Sequence, residues 1–326
     1  MNVAELLQLS GAFWTTGAIH AGVKLDVFSP LAQKPMTAAE LASRLKADER
    51  ALAMLLNALT ALELLEKTGE TFALTAFSSQ YLVKHAPDYI GHIIMHHHYL
   101  VEGWSRLDVA VTTGQPVRTR STFSNDEVRE SFLMGMFNLA MQLAPRVAKE
   151  IDLNGRKRLL DLAGGPGTYA IHFCTENPEL TAVIFDFAST RPFAEKTVAR
   201  FGLSDRIAFR AGDITADRID AGFDVVWMSH LLHSEGPQSC QAIVAKAVQA
   251  LEAGGLLLIQ DFLLEDDRAA PLHSTLFSLN MLIGTPEGQA YSQGEVAAMM
   301  EQAGLHAVHR LDIKLPNGAG IMAGKK

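Results

Sequence analysis

One stretch constrains this chain more than any other: Arg158-Leu159-Leu160-Asp161-Leu162-Ala163-Gly164-Gly165-Pro166-Gly167-Thr168-Tyr169-Ala170. A short apolar run meets a glycine cluster and then opens into a helix-like pattern at Tyr169, Ile171 and Phe173, which predicts strand, tight turn, helix. Glycines at such a turn remove the Cβ atoms that would hold a ligand off the backbone, and the helix N-terminus offers unpaired N–H groups to a negatively charged group. Nineteen residues after Gly167, at the end of the next apolar run (Thr181 to Phe185), stands Asp186, where a carboxylate can accept both hydroxyls of a ribose. The turn also fits the dinucleotide pattern G-x-G-x-x-A, from Gly165 to Ala170, so by itself it leaves the choice of nucleotide open.

At 326 residues the chain is long enough for two domains with a sizeable core. Its formal charge of −8 argues against a general affinity for nucleic acid or anionic membrane. Two cysteines, Cys174 and Cys240, are too few for a disulfide framework and stand in no metal-ligand spacing. The N-terminal residues lack the basic flank and apolar run of a signal peptide, and no apolar stretch reaches membrane length, which predicts a cytoplasmic protein.

Leu6 to Ala32 carries apolar residues at helical spacing, among them Leu6, Leu7, Leu9, Phe13, Trp14, Ile19, Val23, Leu25 and Phe28. That is too apolar for a solvated helix, so the stretch is expected either in the core of one monomer or in a dimer interface. Thr37-Ala38-Ala39-Glu40 is a capping box, a second apolar helical face follows Asp48, and Leu64 to Thr75 reads as a hairpin turning at Thr68-Gly69. Helix, helix and two-stranded wing make a winged-helix pattern, which raises a DNA-binding regulator as a rival function. The helix that would enter the groove, Asp48 to Leu65, has Arg50 as its one basic residue against Asp48, Glu49 and Glu63, so a structural role is the better reading.

Ile90 to Tyr99 holds His92, His96, His97 and His98. His92 and His96 are one helical turn apart, yet no carboxylate or thiol lies at ligand spacing beyond Glu102, so solvent-facing or pocket-lining histidines are expected and no metal. Helices through Trp104 to Leu107 and Phe132 to Met136 lead into the second domain, with the break at Thr112 to Pro116. Taken with the turn signals, these features divide the chain into residues 1–103 and 104–326.

From Arg158 onward strands and helices alternate, which predicts a parallel sheet with helices on both faces. The expected strands are Arg158 to Leu162, Ala182 to Asp186, Ile207 to Arg210, Asp224 to Met228, Gly255 to Asp261, Val308 to Ile313 and Gly320 to Ala323, the last two as an antiparallel hairpin at the sheet edge. A dehydrogenase built on this turn would need a substrate domain after the nucleotide fold, but the seventh strand closes the sequence. A further acid, Asp213, stands at a strand end in Ala211-Gly212-Asp213-Ile214, where it can accept an adenine amine while Ile214 packs on the ring. Glycine turn, Asp186 and Asp213 together describe an adenosyl ligand, and the absence of a phosphate-cradling lysine excludes a P-loop.

On these motifs the chain resembles the class I S-adenosylmethionine-dependent methyltransferases, and more narrowly the small-molecule O-methyltransferases of the caffeate and acetylserotonin type. The resemblance covers nearly the whole chain and implies a Rossmann-like seven-stranded α/β sheet, mostly parallel with an antiparallel last strand, behind a mostly helical winged-helix dimerisation domain. It implies S-adenosyl-L-methionine as cofactor, contacts from Ala163, Gly164, Gly165, Gly167, Asp186, Phe187, Asp213, Ile214 and Ser229, a homodimer, and an acceptor pocket that includes Met136. Phe132, Phe277, Asn280 and Met281, with His92 and His96, complete an expected pocket suited to a flat aromatic or polyketide-like molecule. The family's catalytic histidine sits in a pattern like L-H-D-W-x-D-x-x-C; here Leu232 to Cys240 keeps His233 and Cys240 and lacks the Asp-Trp pair. A phenol with pKa near 10 needs a base within reach, and an imidazole serves; His230 is the rival. Relatives orient the histidine with two acids, one matched by Asp261 and the other replaced by Ala290 unless Glu287 reaches in. Transfer to carbon or nitrogen, or other chemistry with the cofactor, therefore stays open at the level of sequence.

Overall fold

The computed structural model describes all residues, Met1–Lys326, and the chain divides into two compact units. The first comprises Met1–Val101 with Asn125–Asn138, the second Glu102–Ser124 with Leu139–Lys326. No helix is long and apolar enough to cross a membrane.

The first unit begins with α1 (Val3–Ser10), α2 (Phe13–Lys24) and α3 (Phe28–Leu31). Helical spacing over Leu6 to Ala32 thus resolves into three helices, divided at Gly11 and at Asp26, whose φ of +57° no helix continues through. After β1 (Met36–Thr37), helix α4 (Ala38–Leu45) starts on the expected capping box: Thr37 Oγ1 accepts the Glu40 N–H and the Glu40 carboxylate accepts the Thr37 N–H. Helix α5 (Glu49–Ala61) is capped by Asp48, and strands β2 (Leu65–Thr68) and β3 (Thr71–Leu74) form the wing, with Gly69 at φ +59° in its turn. The short β1 adds a third strand, on the far side of β3. Val27, Phe28, Leu41, Leu56, Leu59 and Phe72 form this unit's core, while Leu6, Leu7, Leu9, Phe13 and Trp14 are exposed, Trp14 by 75% and Phe13 by 68%. Helices α6 (Ala76–Tyr81) and α7 (Gly91–Trp104) follow.

Where a helix was expected through Trp104 to Leu107, the chain breaks. The Ser105 hydroxyl donates to the Glu102 carbonyl, Arg106 leaves helical geometry, and its guanidinium donates to the Val117 carbonyl before α8 (Leu107–Thr113) begins. Helix α8 stops at Gly114, φ +66°. Helices α9 (Asp126–Met141) and α10 (Ala144–Glu150) precede the sheet in sequence.

The sheet has seven strands, here named β4 (Arg158–Leu162), β5 (Thr181–Asp186), β6 (Ile207–Ala211), β7 (Phe223–Ser229), β8 (Leu251–Phe262), β9 (His306–Arg310) and β10 (Ala319–Lys325). Their spatial order is β6-β5-β4-β7-β8-β10-β9; β10 is antiparallel to both neighbours and β4 through β8 pair in parallel. The final strand therefore inserts inside the sheet, and β9, not β10, forms the edge. β9 is shorter than Val308 to Ile313 suggested at its far end, where the chain leaves the ladder toward Pro316. Strands buried on both faces read as apolar runs because helices cover each side. On one face α11 (Thr168–Glu176) and α12 (Arg191–Arg200) bury Tyr169, Phe173 and Ala194 with Trp227 and Leu258. On the other, α13 (Pro237–Ala250) and α15 (Gln293–Gln302) bury Val244 and Met300 with Met228 and Leu257. Helix α14 (Leu272–Gly284) lies between β8 and α15 in sequence. The carboxyl ends of β4, β5, β6 and β7, where ligands bind in such sheets, carry the glycine turn, Asp186, Asp213 and Ser229.

Candidate active site

The turn after β4 owes its shape to residues that tolerate a left-handed backbone: Ala163 has φ +54°, Gly165 +55° and Gly167 +81°. A Cβ on Gly167 would stand 2.4 Å from Ile184, and one on Gly164 would stand 2.5 Å from the Asp161 carboxyl carbon. Those two glycines are therefore required, and they leave a backbone cradle above Asp161. The Asp161 carboxylate is 1% exposed and accepts one N–H, from Ala170 at 3.3 Å, with no cation beside it. Burial pushes its pKa up to about 7, and the charge of Asp186 adds to the rise. A cation laid over the turn would restore its ionised form. Sequence reasoning passed over Asp161 as part of the turn; the signal was an acid inside an otherwise apolar strand immediately before the glycines.

Asp186 ends β5. One of its oxygens accepts the Gly165 N–H at 2.8 Å, the other accepts the Phe187 N–H at 2.6 Å and the Thr190 hydroxyl at 3.1 Å. Strand end and glycine turn are thus tied together, and burial still raises the acid's pKa despite those three donors. Asp213, past β6, turns the chain: its carboxylate accepts the Thr215 N–H at 2.8 Å and hydroxyl at 2.6 Å, and these bonds hold its pKa down. Ile214 is buried in the core cluster beside it, and Phe187 packs edge-on against Phe123 at 5.6 Å. The cradle, the uncompensated acid beneath it and the two strand-end acids fit the amino, ribose and adenine groups of S-adenosylmethionine.

Beyond β7 the chain turns sharply at His230, φ +54°, and brings His233 back over the end of β8. His233 Nδ1 lies 2.7 Å from Asp261 Oδ1, which also accepts the Phe262 N–H at 2.8 Å; the other oxygen accepts the His233 N–H at 3.4 Å. Burial alone would raise the Asp261 pKa, yet the imidazoles of His233 and His230 hold it well below the usual carboxylate range. With Nδ1 engaged by Asp261, Nε2 is the ring nitrogen of His233 left for another partner. Phe277 of α14 packs its edge on this imidazole at 4.7 Å.

His230 is tied into the same group. Gln260 Nε2 donates to Tyr169 Oη at 2.8 Å and lies 3.0 Å from His230 Nε2, and His230 Nδ1 stands 3.6 Å from Asp261 Oδ1. One carboxylate therefore stands between two imidazoles, backed by a buried amide and a phenol that sequence reasoning did not single out. His230, His233 and Asp261 also offer metal-ligand atoms within 4.8 Å of one another; the histidines of α7 form no such three-ligand group.

The position expected to carry a second orienting acid is filled by Ala290, which is buried and donates its N–H to Ser278 Oγ at 2.9 Å. Glu287 lies against Gly236 and makes no hydrogen bond or ion pair with His233. Of the expected acceptor-pocket residues, Phe277, Asn280 and Met281 stand on α14 in the second unit, where Asn280 Oδ1 accepts the Trp104 indole N–H at 3.1 Å. Phe132 and Met136 stand half-buried on α9 in the first unit, Phe132 against His96 at 5.3 Å; His92 packs on Tyr89.

Comparisons with known proteins agree with this architecture. An O-methyltransferase domain matches residues 110–306 and an O-methyltransferase dimerisation domain matches residues 7–84. The chain is 33% identical to a 3-hydroxy-5-methyl-1-naphthoate 3-O-methyltransferase of Streptomyces sahachiroi, over 98% of this chain and 94% of that protein. It is 31% identical to the tetracenomycin polyketide synthesis 8-O-methyl transferase of Streptomyces glaucescens, over 97% and 95%. Among solved structures, an O-methyltransferase family protein from Burkholderia thailandensis superposes with a TM-score of 0.89 at 30% identity, covering 100% of this chain and 98% of the other. The cofactor is S-adenosylmethionine, the reaction is methyl transfer to a hydroxyl, and the chain belongs to the O-methyltransferase family.

Proposed function

We propose that the acceptor is a small aromatic or polyketide-like molecule and that His233 removes the proton from its hydroxyl, with Asp261 orienting the imidazole. The observation that carries this reading is the buried His233–Asp261 pair at 2.7 Å, beside the end of β7. S-adenosylmethionine, when bound, supplies an electrophilic methyl group. A neutral phenol attacks such a carbon poorly; an imidazole that accepts the phenol proton at Nε2 while Asp261 stabilises the resulting imidazolium makes the oxygen a competent nucleophile. Ala163, Gly164, Gly165 and Gly167 would hold the methionine part of the cofactor, Asp161 its amino group and Asp186 the ribose hydroxyls. Asp213 would take the adenine amine, with Phe187, Ile214 and Ser229 around it. The naphthoate and polyketide methylations named for the two relatives support an aromatic acceptor.

The test is a panel of phenols and naphthols assayed for formation of S-adenosylhomocysteine. With an accepted substrate, His233→Ala is expected to lower kcat about 10²–10⁴-fold and leave cofactor affinity unchanged; full activity in that variant would overturn the assignment.

The functional division proposed is residues 1–103 for assembly and 104–326 for catalysis. Exposed Leu6, Leu7, Leu9, Phe13 and Trp14, together with the dimerisation-domain match, support a homodimer through the N-terminal helices. Light scattering at micromolar concentration should find twice the chain mass, and a monomer would exclude it. Two buried free cysteines suit a cytoplasmic setting.

A further inference from the structure

In the second unit, Arg118 is a cation without an acid. Its side chain is half-buried, its Nη1 donates to the Thr119 carbonyl at 3.2 Å, its buried Nε has no partner, and no carboxylate of the chain pairs with it. The charge that acts on it is that of Arg120, which is already satisfied: it donates to the Ser234 carbonyl at 2.8 Å and pairs with Glu235 at 3.1 Å. Burial and that like charge both push the Arg118 guanidinium below its usual range. A guanidinium held in this state is stabilised by any anion that reaches it.

The space around it is specific. A Cβ on Gly103 would stand 2.8 Å from the Arg118 side chain, and one on Gly284 would stand 2.7 Å from its Nη2. Two glycines thus leave room for this side chain, and the backbone N–H groups of Val117 and Arg118 both donate to the Ile283 carbonyl, fixing the segment on the end of α14. Gly284 and Phe277 are seven residues apart on that helix and so share a face. Phe277 carries the His233 imidazole on its edge. The helix positions on which base and guanidinium pack are therefore on one face, about 10 Å apart along its axis. Between them on that helix are Met281 and Asn280, the latter bonded to the Trp104 indole.

We propose that Arg118 binds a carboxylate of the acceptor, so that the preferred substrate is an aromatic hydroxy acid with its hydroxyl at His233 and its carboxylate at Arg118. This rests on the proposed reading of His233 as base. Allowing one hydrogen bond at each end, about 5 Å remains between the two oxygen groups, which a single or fused aromatic ring spans. The planar fork of Arg118 matches a carboxylate through two N–H donors, which a lysine would not reproduce.

The experiment has a binding arm and a turnover arm. In the first, 2-naphthoate, an anion with no hydroxyl to methylate, is titrated into the protein loaded with S-adenosylhomocysteine, for wild type, Arg118→Met and Arg118→Lys. Wild type is expected to bind it and Arg118→Met to bind it about 10- to 100-fold more weakly, with Arg118→Lys between. In the second, the hydroxynaphthoic and hydroxybenzoic acids are compared with their methyl esters. Arg118→Met should raise KM for the acids by the same factor while changing KM for the esters less than about threefold. Failure of wild type to bind 2-naphthoate, equal use of acids and esters, or an equal loss on both accompanied by a lower Tm overturns the proposal; the last assigns Arg118 to holding the end of α14. Weaker S-adenosylmethionine binding in Arg118→Met also overturns it, by giving the guanidinium to the cofactor. Binding of 2-naphthoate through Arg118 without methylation of any acid or ester would instead sink the reading of the acceptor hydroxyl and leave the anion site standing.

Discussion

Asp161 and Asp261 are both buried carboxylates at the carboxyl ends of strands, on β4 and β8, the two neighbours of β7. Their charges are in opposite conditions. Asp161 accepts a single backbone N–H and is pushed up to about 7; Asp261 has two imidazoles and the Phe262 N–H, and is held far down. Burial acts on both in the same sense, so the difference lies in the partners. Asp261 already has its positive partners within the chain and is built to orient them. Asp161 lacks one, which is the condition expected of a group that meets its cation only when a ligand arrives.

The comparison breaks most visibly at Asp261. Asp261→Asn keeps the shape but cannot stabilise an imidazolium at His233, and kcat with an accepted phenol is expected to fall about 10²–10⁴-fold. A variant with wild-type kcat would mean that His233 needs no charged partner. The depressed pKa also contributes stability that is present above about pH 4, the unfolded value, and is lost as pH falls below it through the folded one. Thermal unfolding followed from pH 7 downward should therefore show a smaller acid-induced drop in Tm for Asp261→Asn than for wild type.

At Asp161 the signs reverse. A carboxyl whose folded pKa is raised to about 7 favours the fold below about pH 4, and that advantage is lost as pH rises through 7. Asp161→Asn removes the cost, so the cofactor-free variant should melt at a higher temperature than wild type at pH 8. The same change should weaken S-adenosylmethionine binding by about 10- to 100-fold, the loss of one charge-assisted hydrogen bond of about 1.5–3 kcal/mol. Wild-type affinity should rise with pH up to about 7 and level off, because binding releases the Asp161 proton. Calorimetry in two buffers of different ionisation enthalpy reads that proton directly. A pH-independent affinity would show that Asp161 does not meet the cofactor's cation.

What was legible in the sequence divides along the same line. Strands β4 to β8 were placed to within a few residues because each is an apolar run bounded by turn residues, and the acids at their ends stood out against that background. The capping box at Thr37 and the wing turn at Gly69 are local chemistry and were read directly. Long-range pairing was not legible: nothing in Ala319 to Lys325 says that it enters between β8 and β9, and nothing in Ser105-Arg106 says that Arg106 will reach Val117 and end a helix. At the site, His233 and Asp261 were found by pattern, but the charge state of Asp161 depends on the burial and bonding that folding creates. The Tyr169–Gln260–His230 chain depends on three elements meeting. Arg118 carried no local signal, since its meaning lies in the carboxylate it lacks.

The smallest effect is expected at His230, where the comparison can be sharpened. The Gln260 amide donates toward His230 Nε2, which places the His230 proton on Nδ1, facing Asp261 Oδ1 at 3.6 Å. At that distance it makes no hydrogen bond and acts only electrostatically on the oxygen that serves His233 at 2.7 Å. His273 stands nearby, with its pKa lowered first by burial and then by His230, and Phe262 packs on the His230 ring at 4.4 Å with the planes tilted by 45°. Asparagine is among the non-glycine residues that best tolerate the left-handed backbone at this position, so His230→Asn should fold with its turn intact. Without the His230 N–H, Asp261 serves His233 alone, and kcat with an accepted phenol should stay within about threefold of wild type. Loss of activity as large as that of His233→Ala would make His230 the base. A kcat in that range with a lower Tm would make His230 a packing residue.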